Sequence, residues 1–325
     1  MDLTLQLLLD HGTARLAEAG ISEAVLDSKY LLFEAFQTDM THFLMDRYRR
    51  LTDEDSVKRA IAEYQRMIEL RAKRIPLQQI TGSREFMGLE FKINEHVLIP
   101  RQDTETLVEL VLKEQKGREL SVLDVCTGSG CIGVSLMALG GYSQVTALDI
   151  SQEALLVAAF NGKMHLSGRT LLDYTMSASA EARPVSEKLT EIPWKLELQA
   201  ETDFGSQSMV FLKSDLFSAL TEDQQFDVIV SNPPYIPSDV IEGLEPEVKD
   251  YEPRLALDGM EDGLYFYRKI AAECSRHLKP GGAVYFEIGY NQGEAVSELL
   301  KQAGFHDIRV IKDAPGLDRV VYGGF

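Results

Sequence analysis

Apolar residues follow two different rhythms along this chain. Up to about residue 75 they recur at helical spacing: Leu5, Leu8, Leu9 and Leu16, then Leu26, Tyr30, Leu31 and Phe33, then Ile61, Tyr64, Ile68 and Leu70. Thr52 ahead of Asp53, Glu54 and Asp55 reads as a helix start, with acids at the positive end of the helix dipole. Pro76 closes this helical region. From Arg84 to Ile99 the period changes. Phe86, Leu89, Phe91, Ile93 and Val97, with Gly88 and Asn94, predict a β-hairpin.

Beyond it, short apolar runs alternate with helical stretches. Asp103 or Thr104 is placed to cap a helix through Leu107, Leu110 and Val111. Strands are predicted at Ser121–Val125, Val145–Asp149, Val210–Asp215, Phe226–Val230 and Ala283–Ile288, with two more around Ile308–Ile311 and Arg319–Tyr322. Such alternation argues for a doubly wound α/β sheet. The expected organisation is a helical domain over 1–82, a hairpin linker over 83–100 and the sheet domain over 101–325. Residues 168–209 read as an inserted surface excursion, although Trp194 to Leu198 alternates as a strand does.

The stretch with the clearest chemistry is Ser231-Asn232-Pro233-Pro234-Tyr235-Ile236. It follows a strand, and ligands of open α/β sheets bind outside the strands' C-terminal ends. Asn232 offers a carbonyl acceptor. The prolines lack N–H groups and stiffen the turn. Tyr235 adds a flat face with a polar tip. Two acceptors beside an aromatic plane suit a planar nitrogen bearing two hydrogens, as in an amide or a base's exocyclic amine.

A second site precedes it. Gly128-Ser129-Gly130-Cys131-Ile132-Gly133 matches the dinucleotide fingerprint, and Asp149 stands near the expected ribose-binding position. The residues alone therefore leave a nicotinamide or flavin enzyme open beside a methyltransferase. Two features favour S-adenosylmethionine. Asp124, four residues before Gly128, would face a pyrophosphate badly but suits an ammonium group. A nicotinamide reading also leaves Asn-Pro-Pro-Tyr without a task.

Charge narrows the partners. Among 325 residues the net charge is −18, which argues against a surface that coats nucleic acid. Hydrophobic residues at 45% suffice for a substantial core. Cys126, Cys131 and Cys274 have neither metal-ligand spacing nor the look of a disulfide framework, so no metal is expected and a reducing cytoplasm is the simplest compartment. The first residues lack a basic n-region, and no apolar run has the length needed to span a bilayer. The six histidines form no cluster in the sequence.

With both motifs in place, the chain resembles the HemK/PrmC family of release factor glutamine methyltransferases. Further stretches carry the resemblance: Ile80-Thr81-Gly82 with Glu85-Phe86, Leu98-Ile99-Pro100-Arg101 with Asp103-Thr104-Glu105, Tyr251 to Leu257, Glu287-Ile288-Gly289 and Asp318-Arg319-Val320. Asn-Pro-Pro-Tyr alone is shared with amino-methylating DNA and RNA enzymes, and a sibling family acts on a ribosomal protein. The resemblance implies a Rossmann-like class I methyltransferase sheet behind an N-terminal helical substrate-binding domain. It implies S-adenosylmethionine as cofactor and class 1 peptide chain release factors as protein partners, with no membrane and no stable nucleic-acid binding. Cys126, Thr127, Gly128, Ser129 and Gly130 would wrap the methionine part. Asp149 would hold the ribose, Asp215 and Leu216 would border the adenine, and Asn232 would touch the cofactor. Asn232, Pro233, Pro234 and Tyr235 would hold the glutamine and carry catalysis. Arg101 and Thr104 lie near the methionine end or fix their own helix, and Glu252 with Arg254 reads as a structural ion pair. Cys126 stands where the family usually has glycine; a left-handed backbone there would cost about 1–2 kcal/mol.

Overall fold

The computed structural model describes residues 3–325 except 118, 167–170, 176–193 and 203. Two units emerge: Met1–Ser83 with Glu245–Tyr251, and Arg84–Leu244 with Glu252–Phe325.

The first unit is helical: α1 (Leu5–Glu18), α2 (Ala24–Phe36), α3 (Met40–Asp46), α4 (Asp55–Ala72) and α5 (Leu77–Thr81). Most of the leucine stripes meet in one core of Leu8, Leu16, Leu31, Leu32, Tyr64 and Ile68, whereas Leu26 and Tyr30, expected in it, stand on the outer side of α2 and are exposed. Thr4 caps α1 by accepting from the Leu7 N–H at 3.2 Å. The expected start at Thr52 moves: α4 begins at Asp55 behind Glu54, with no side-chain cap. The segment Glu245–Tyr251 is held in this unit by charge. Arg71, itself buried, donates to Asp27 at 2.7 Å and Glu247 at 3.0 Å. Arg74 reaches Glu247 and Glu245, and Gln79 donates to the Tyr251 carbonyl.

In the second unit β1 (Ser83–Phe86) and β2 (Leu89–Lys92) form the hairpin, turning through Met87 and Gly88, both with positive φ. Two left-handed residues give the turn whose twist matches paired strands. The hairpin was expected to act as a linker. Instead Phe86 and Phe91 are fully buried in the core shared by Val122, Val145 and Val228. Asn161 ties the hairpin to the glycine loop, bonding Lys92 through both backbone groups and the Ser129 carbonyl.

The large sheet comprises β3 (Ser121–Val125), β4 (Gln144–Asp149), β5 (Leu171–Thr175), β6 (Lys195–Thr202), β7 (Gly205–Lys213), β8 (Phe226–Ser231), β9 (Leu278–Glu287), β10 (His306–Lys312) and β11 (Asp318–Gly324). Their order is β10-β11-β9-β8-β3-β4-β7-β6-β5. Strands β7, β4, β3, β8 and β9 run parallel, and β11 returns antiparallel to β9. Helices α6 (Gln102–Glu114), α7 (Cys131–Gly140) and α8 (Gln152–Leu166) belong to this unit. The order reverses direction beside β3, the switch point where such sheets bind ligands.

The excursion expected over 168–209 is sheet in its described parts. β6 pairs antiparallel with β7, and Leu196, Leu198, Ala200, Met209 and Phe211 join the main core. The strand expected to begin at Val210 begins at Gly205. Much of the remaining excursion lies outside the described residues. Among the described residues no helix is long and apolar enough to cross a membrane, and no His, Cys, Asp and Glu group could hold a metal ion.

Candidate active site

A cavity of about 390 Å³ opens at the C-terminal ends of β3, β4, β7 and β8. Its wall unites Cys126, Thr127, Gly128 and Ser129 with Asp149, Asp215, Leu216, Asn232 and Pro234. These come from four strand ends, spread over more than a hundred positions of sequence. Gly130, Pro233 and Tyr235, also predicted, are not among the lining residues.

The glycines divide by purpose. Gly128 has φ +55 with open space where a side chain would stand, so its need is conformational. Gly130 combines φ +80 with packing: a Cβ there would come within 3.0 Å of the Ala158 Cβ on α8. Its task is to let the loop lie close on that helix.

Asp149 anchors the loop from the second strand. Its carboxylate accepts from the Gly128 N–H and the Ser151 N–H, each at 2.9 Å. Burial pushes its pKa up, while those N–H groups pull it down. Each oxygen keeps a further lone pair.

Asp124 departs from expectation. It is fully buried and absent from the cavity wall, so it is not placed to meet an ammonium group. It accepts from the Thr127 hydroxyl at 2.6 Å and the Gly133 N–H at 3.0 Å. Burial pushes it up to about 7. A carboxyl group thus already occupies the start of α7, where a dinucleotide's pyrophosphate would sit. The conclusion against a dinucleotide holds, on a different physical ground.

Three non-glycine residues of the wall adopt left-handed backbones, Leu216 at φ +50, Cys126 at φ +63 and Met260 at φ +68. The Ser214 hydroxyl pins Leu216 by donating to its carbonyl at 2.5 Å. Strain of this kind collects at ligand sites. Burial pushes the Cys126 thiol well up and the Cys131 thiol to about 12, so neither is a ready thiolate.

The Asn-Pro-Pro-Tyr turn is fixed from several sides. The Ser231 hydroxyl donates to the Val125 carbonyl at 2.6 Å. The Tyr235 carbonyl accepts from Gln292 at 3.1 Å. Ile236 exchanges backbone bonds with Leu257 and Gly259 at 3.0 and 2.8 Å. A Cβ on Gly259 would stand 2.8 Å from the Tyr235 backbone. Tyr235 packs its ring toward the core, and burial pushes its phenol pKa far up.

Arg101 and Thr104 line the cavity. Neither Asp103 nor Thr104 caps α6, whose first residue follows Arg101 without a side-chain cap. Asp103 instead meets Arg319 at 3.0 Å. The expected Glu252–Arg254 pair is absent too. Glu252 accepts from Arg101 at 2.5 Å, whereas Arg254 bonds Glu242 and Asp258. Sequence reasoning also missed Met260, Tyr265, Phe266 and Lys269 in the wall. The only available signal was two glycines, Gly259 and Gly263, spaced as for a tight loop before an aromatic pair.

Comparison with known proteins agrees with this geometry. The profile of the PrmC N-terminal domain matches residues 8–82, and that of the Eco57I restriction-modification methylase matches residues 143–274. A release factor glutamine methyltransferase of Geobacter sulfurreducens is 37% identical over 98% of this chain and 96% of its own. Its counterpart in Caulobacter vibrioides is 36% identical over 99% and 97%. The hMettl16 catalytic domain, solved with a MAT2A 3′UTR hairpin, covers 80% of this chain and 82% of its own at 15% identity and a TM-score of 0.50, which speaks for the fold alone. Matched end to end with relatives at more than a third identity, the chain belongs to the release factor glutamine methyltransferase family.

Proposed function

We propose that this protein transfers a methyl group from S-adenosylmethionine to the side-chain amide nitrogen of the glutamine in the Gly-Gly-Gln loop of class 1 peptide chain release factors. One observation carries the reading: a single cavity wall contains both the Asp149-anchored glycine loop and Asn232. The cavity's size suits a cofactor of this class. Its acidic Asp149 and Asp215 suit hydroxyl and amine donors rather than phosphates, and Leu216 and Ile150 supply apolar flanks.

Cys126 to Ser129 and Asp149 would hold the cofactor's methionine and ribose parts, with Asp215 and Leu216 at the base. When bound, the cofactor supplies the electrophilic methyl group. The chain's own residues do the rest. An amide nitrogen is a weak nucleophile because its lone pair is delocalised, as the barrier of about 18–20 kcal/mol to peptide rotation shows. Asn232 accepts one N–H of the substrate amide through its carbonyl, and the Pro233 carbonyl accepts the other. Both acceptors favour the positive charge that develops on that nitrogen. Orientation of this kind is worth up to about 7–11 kcal/mol in well-aligned reactions. Pro234 shapes the wall. Tyr235 keeps water from the turn and, through its carbonyl, holds it in place.

The helical unit takes the part of substrate grip. Tyr30 on α2, Leu44 and Met45 on α3, and Tyr48 expose more than half their surface, which leaves apolar side chains available to a protein substrate. The expected compartment is the cytoplasm, where release factors act.

The test is methyl transfer from labelled cofactor to three acceptors: a release factor, its Gln-to-Ala variant in the Gly-Gly-Gln loop, and duplex DNA. Label is expected on the first alone. Equal labelling of the Gln-to-Ala variant, or labelling of DNA, overturns the substrate assignment.

A further inference from the structure

Pro233 and Pro234 carry no N–H, so neither can be tied down by a donated backbone bond. The function above nevertheless asks the Pro233 carbonyl and the Asn232 side chain to hold one direction. The turn must then be held from its ends. At one end the Ser231 hydroxyl donates to the Val125 carbonyl. At the other end the peptide between Tyr235 and Ile236 is bonded on both sides. The Ile236 N–H donates to the Leu257 carbonyl at 3.0 Å, and the Tyr235 carbonyl accepts from Gln292 Nε2 at 3.1 Å. A peptide plane held through both groups cannot swing without breaking both bonds.

Gln292 spends its whole amide on this clasp. It is 8% exposed and precedes the helix Gly293–Gln302, to which its side chain gives no cap. One proton of its NH2 group goes to the Tyr235 carbonyl and the other to the Gly263 carbonyl at 3.2 Å. Its own carbonyl accepts from the Gly289 N–H at 2.9 Å. Three backbone groups therefore fix the orientation of the amide. Turned over, its oxygen would face two carbonyls and its NH2 group an N–H. Gly263, at φ +71, lies against the same spot, since a Cβ there would overlap the Tyr235 carbonyl oxygen. The loop that leads to it is laced to the turn as well: the Ser238 N–H donates to the carbonyl of Met260, a residue of the cavity wall, at 2.9 Å.

We propose that Gln292 is a positioning residue for methyl transfer, which clasps the far end of the Asn-Pro-Pro-Tyr turn to the Gly263 loop and so fixes the direction of the Asn232 and Pro233 acceptors. Gln292 is not among the lining residues of the cavity, so its loss reaches the reaction only through the turn. A glutamate at 292 has nearly the same shape and still accepts from Gly289, but as a carboxylate it offers no proton to Tyr235 or Gly263. A methionine keeps the length and makes none of the three bonds.

The inference rests on the role given to Asn232 above, and its test separates the two. Steady-state methyl transfer to a release factor is measured for Gln292→Met, Gln292→Glu, Asn232→Ala and the double variant Gln292→Met/Asn232→Ala. Cofactor affinity is read by calorimetry and Tm by circular dichroism. Gln292→Met and Gln292→Glu should each lower kcat by about 10–100-fold, the scale set by a misplacement of about 1 Å at a reacting group. Cofactor Kd should stay within about twofold, and the loss in the double variant should fall well short of the product of the two single losses. A merely structural role would lower Tm and leave kcat in place. If Gln292→Met keeps wild-type kcat while Asn232→Ala is impaired, the clasp is wrong and the function stands. If the double variant loses the full product, Gln292 acts elsewhere than on the turn and the clasp is again wrong. If Asn232→Ala is itself fully active, the function falls and the clasp with it. Should Gln292→Met fail to fold, Gln292→Glu, which keeps the bond to Gly289, decides by the same readings.

Discussion

Each unit of this protein buries charge, and the two do so differently. In the helical unit Arg71 lies between Asp27 and Glu247, with side-chain exposures of 10%, 7% and 18%, and its guanidinium also reaches the Ile75 carbonyl. The charges there are matched and hydrogen-bonded. In the sheet unit Asp124, Glu252 and Glu287 each keep one buried oxygen without a partner among the described residues. Burial pushes Asp124 and Glu287 up to about 7. Matched charge holds a chain segment in place. Under-paired charge near a cavity marks a candidate working site, because such groups are arranged for chemistry rather than for stability.

That contrast can be broken at four points, in descending size of effect. Removing Arg71 strands the buried Asp27 and leaves Glu247 to Arg74 alone, so Arg71→Ala should destabilise the helical unit by about 3–5 kcal/mol, as expected for a broken buried pair. Urea denaturation monitored by circular dichroism measures it; a loss below 1 kcal/mol would mean the network is solvated. Next comes Asn232→Ala, expected to lower kcat by about 10²–10³-fold, as for loss of one preorganised polar group. Cofactor affinity measured by calorimetry should hardly change.

The third concerns pH. Asp124 has a folded pKa near 7, above the usual carboxylate value of about 4. Between those values the native state binds more protons than the unfolded one, so this group's contribution to stability falls as pH rises. Asp124→Asn removes that titration. Its Tm relative to wild type should therefore climb between about pH 5 and pH 8, by roughly 2–4 °C for each kcal/mol. A difference independent of pH would show that Asp124 does not titrate there. The smallest effect is at Cys126. Its left-handed backbone costs about 1–2 kcal/mol, which Cys126→Gly should partly recover, less the entropy glycine adds to the unfolded chain. A small rise in Tm is expected; a fall would mean that the thiol's packing outweighs the strain.

Elements with a strong local signal were legible from the chain alone. The leucine stripes of α1, α2 and α4 became one core, and the run Phe226 to Val230 became a central strand. Helix starts were less legible, since Glu54 and Arg101 rather than Thr52 and Asp103 precede α4 and α6. The hydroxyl and carboxylate expected as caps for α6 are drawn away by Asn232 and Arg319, partners remote in sequence. The hairpin read as a linker is core because Phe86 and Phe91 find partners only after the sheet forms. Strand β6 carried only a weak signal because it buries one face, Leu196, Leu198 and Ala200, and alternates them with polar residues over a short run.

The sequence by itself determined the doubly wound fold, the glycine loop with Asp149, and the Asn-Pro-Pro-Tyr turn. All three depend on local composition and on chain spacing, which the order of residues carries directly. Only the tertiary structure decided the partners of the buried charges: Glu252 with Arg101, and Asp124 with α7 rather than a ligand. A charge's partner depends on distances of a few ångströms between segments far apart in sequence, and such distances exist only once the strands have paired.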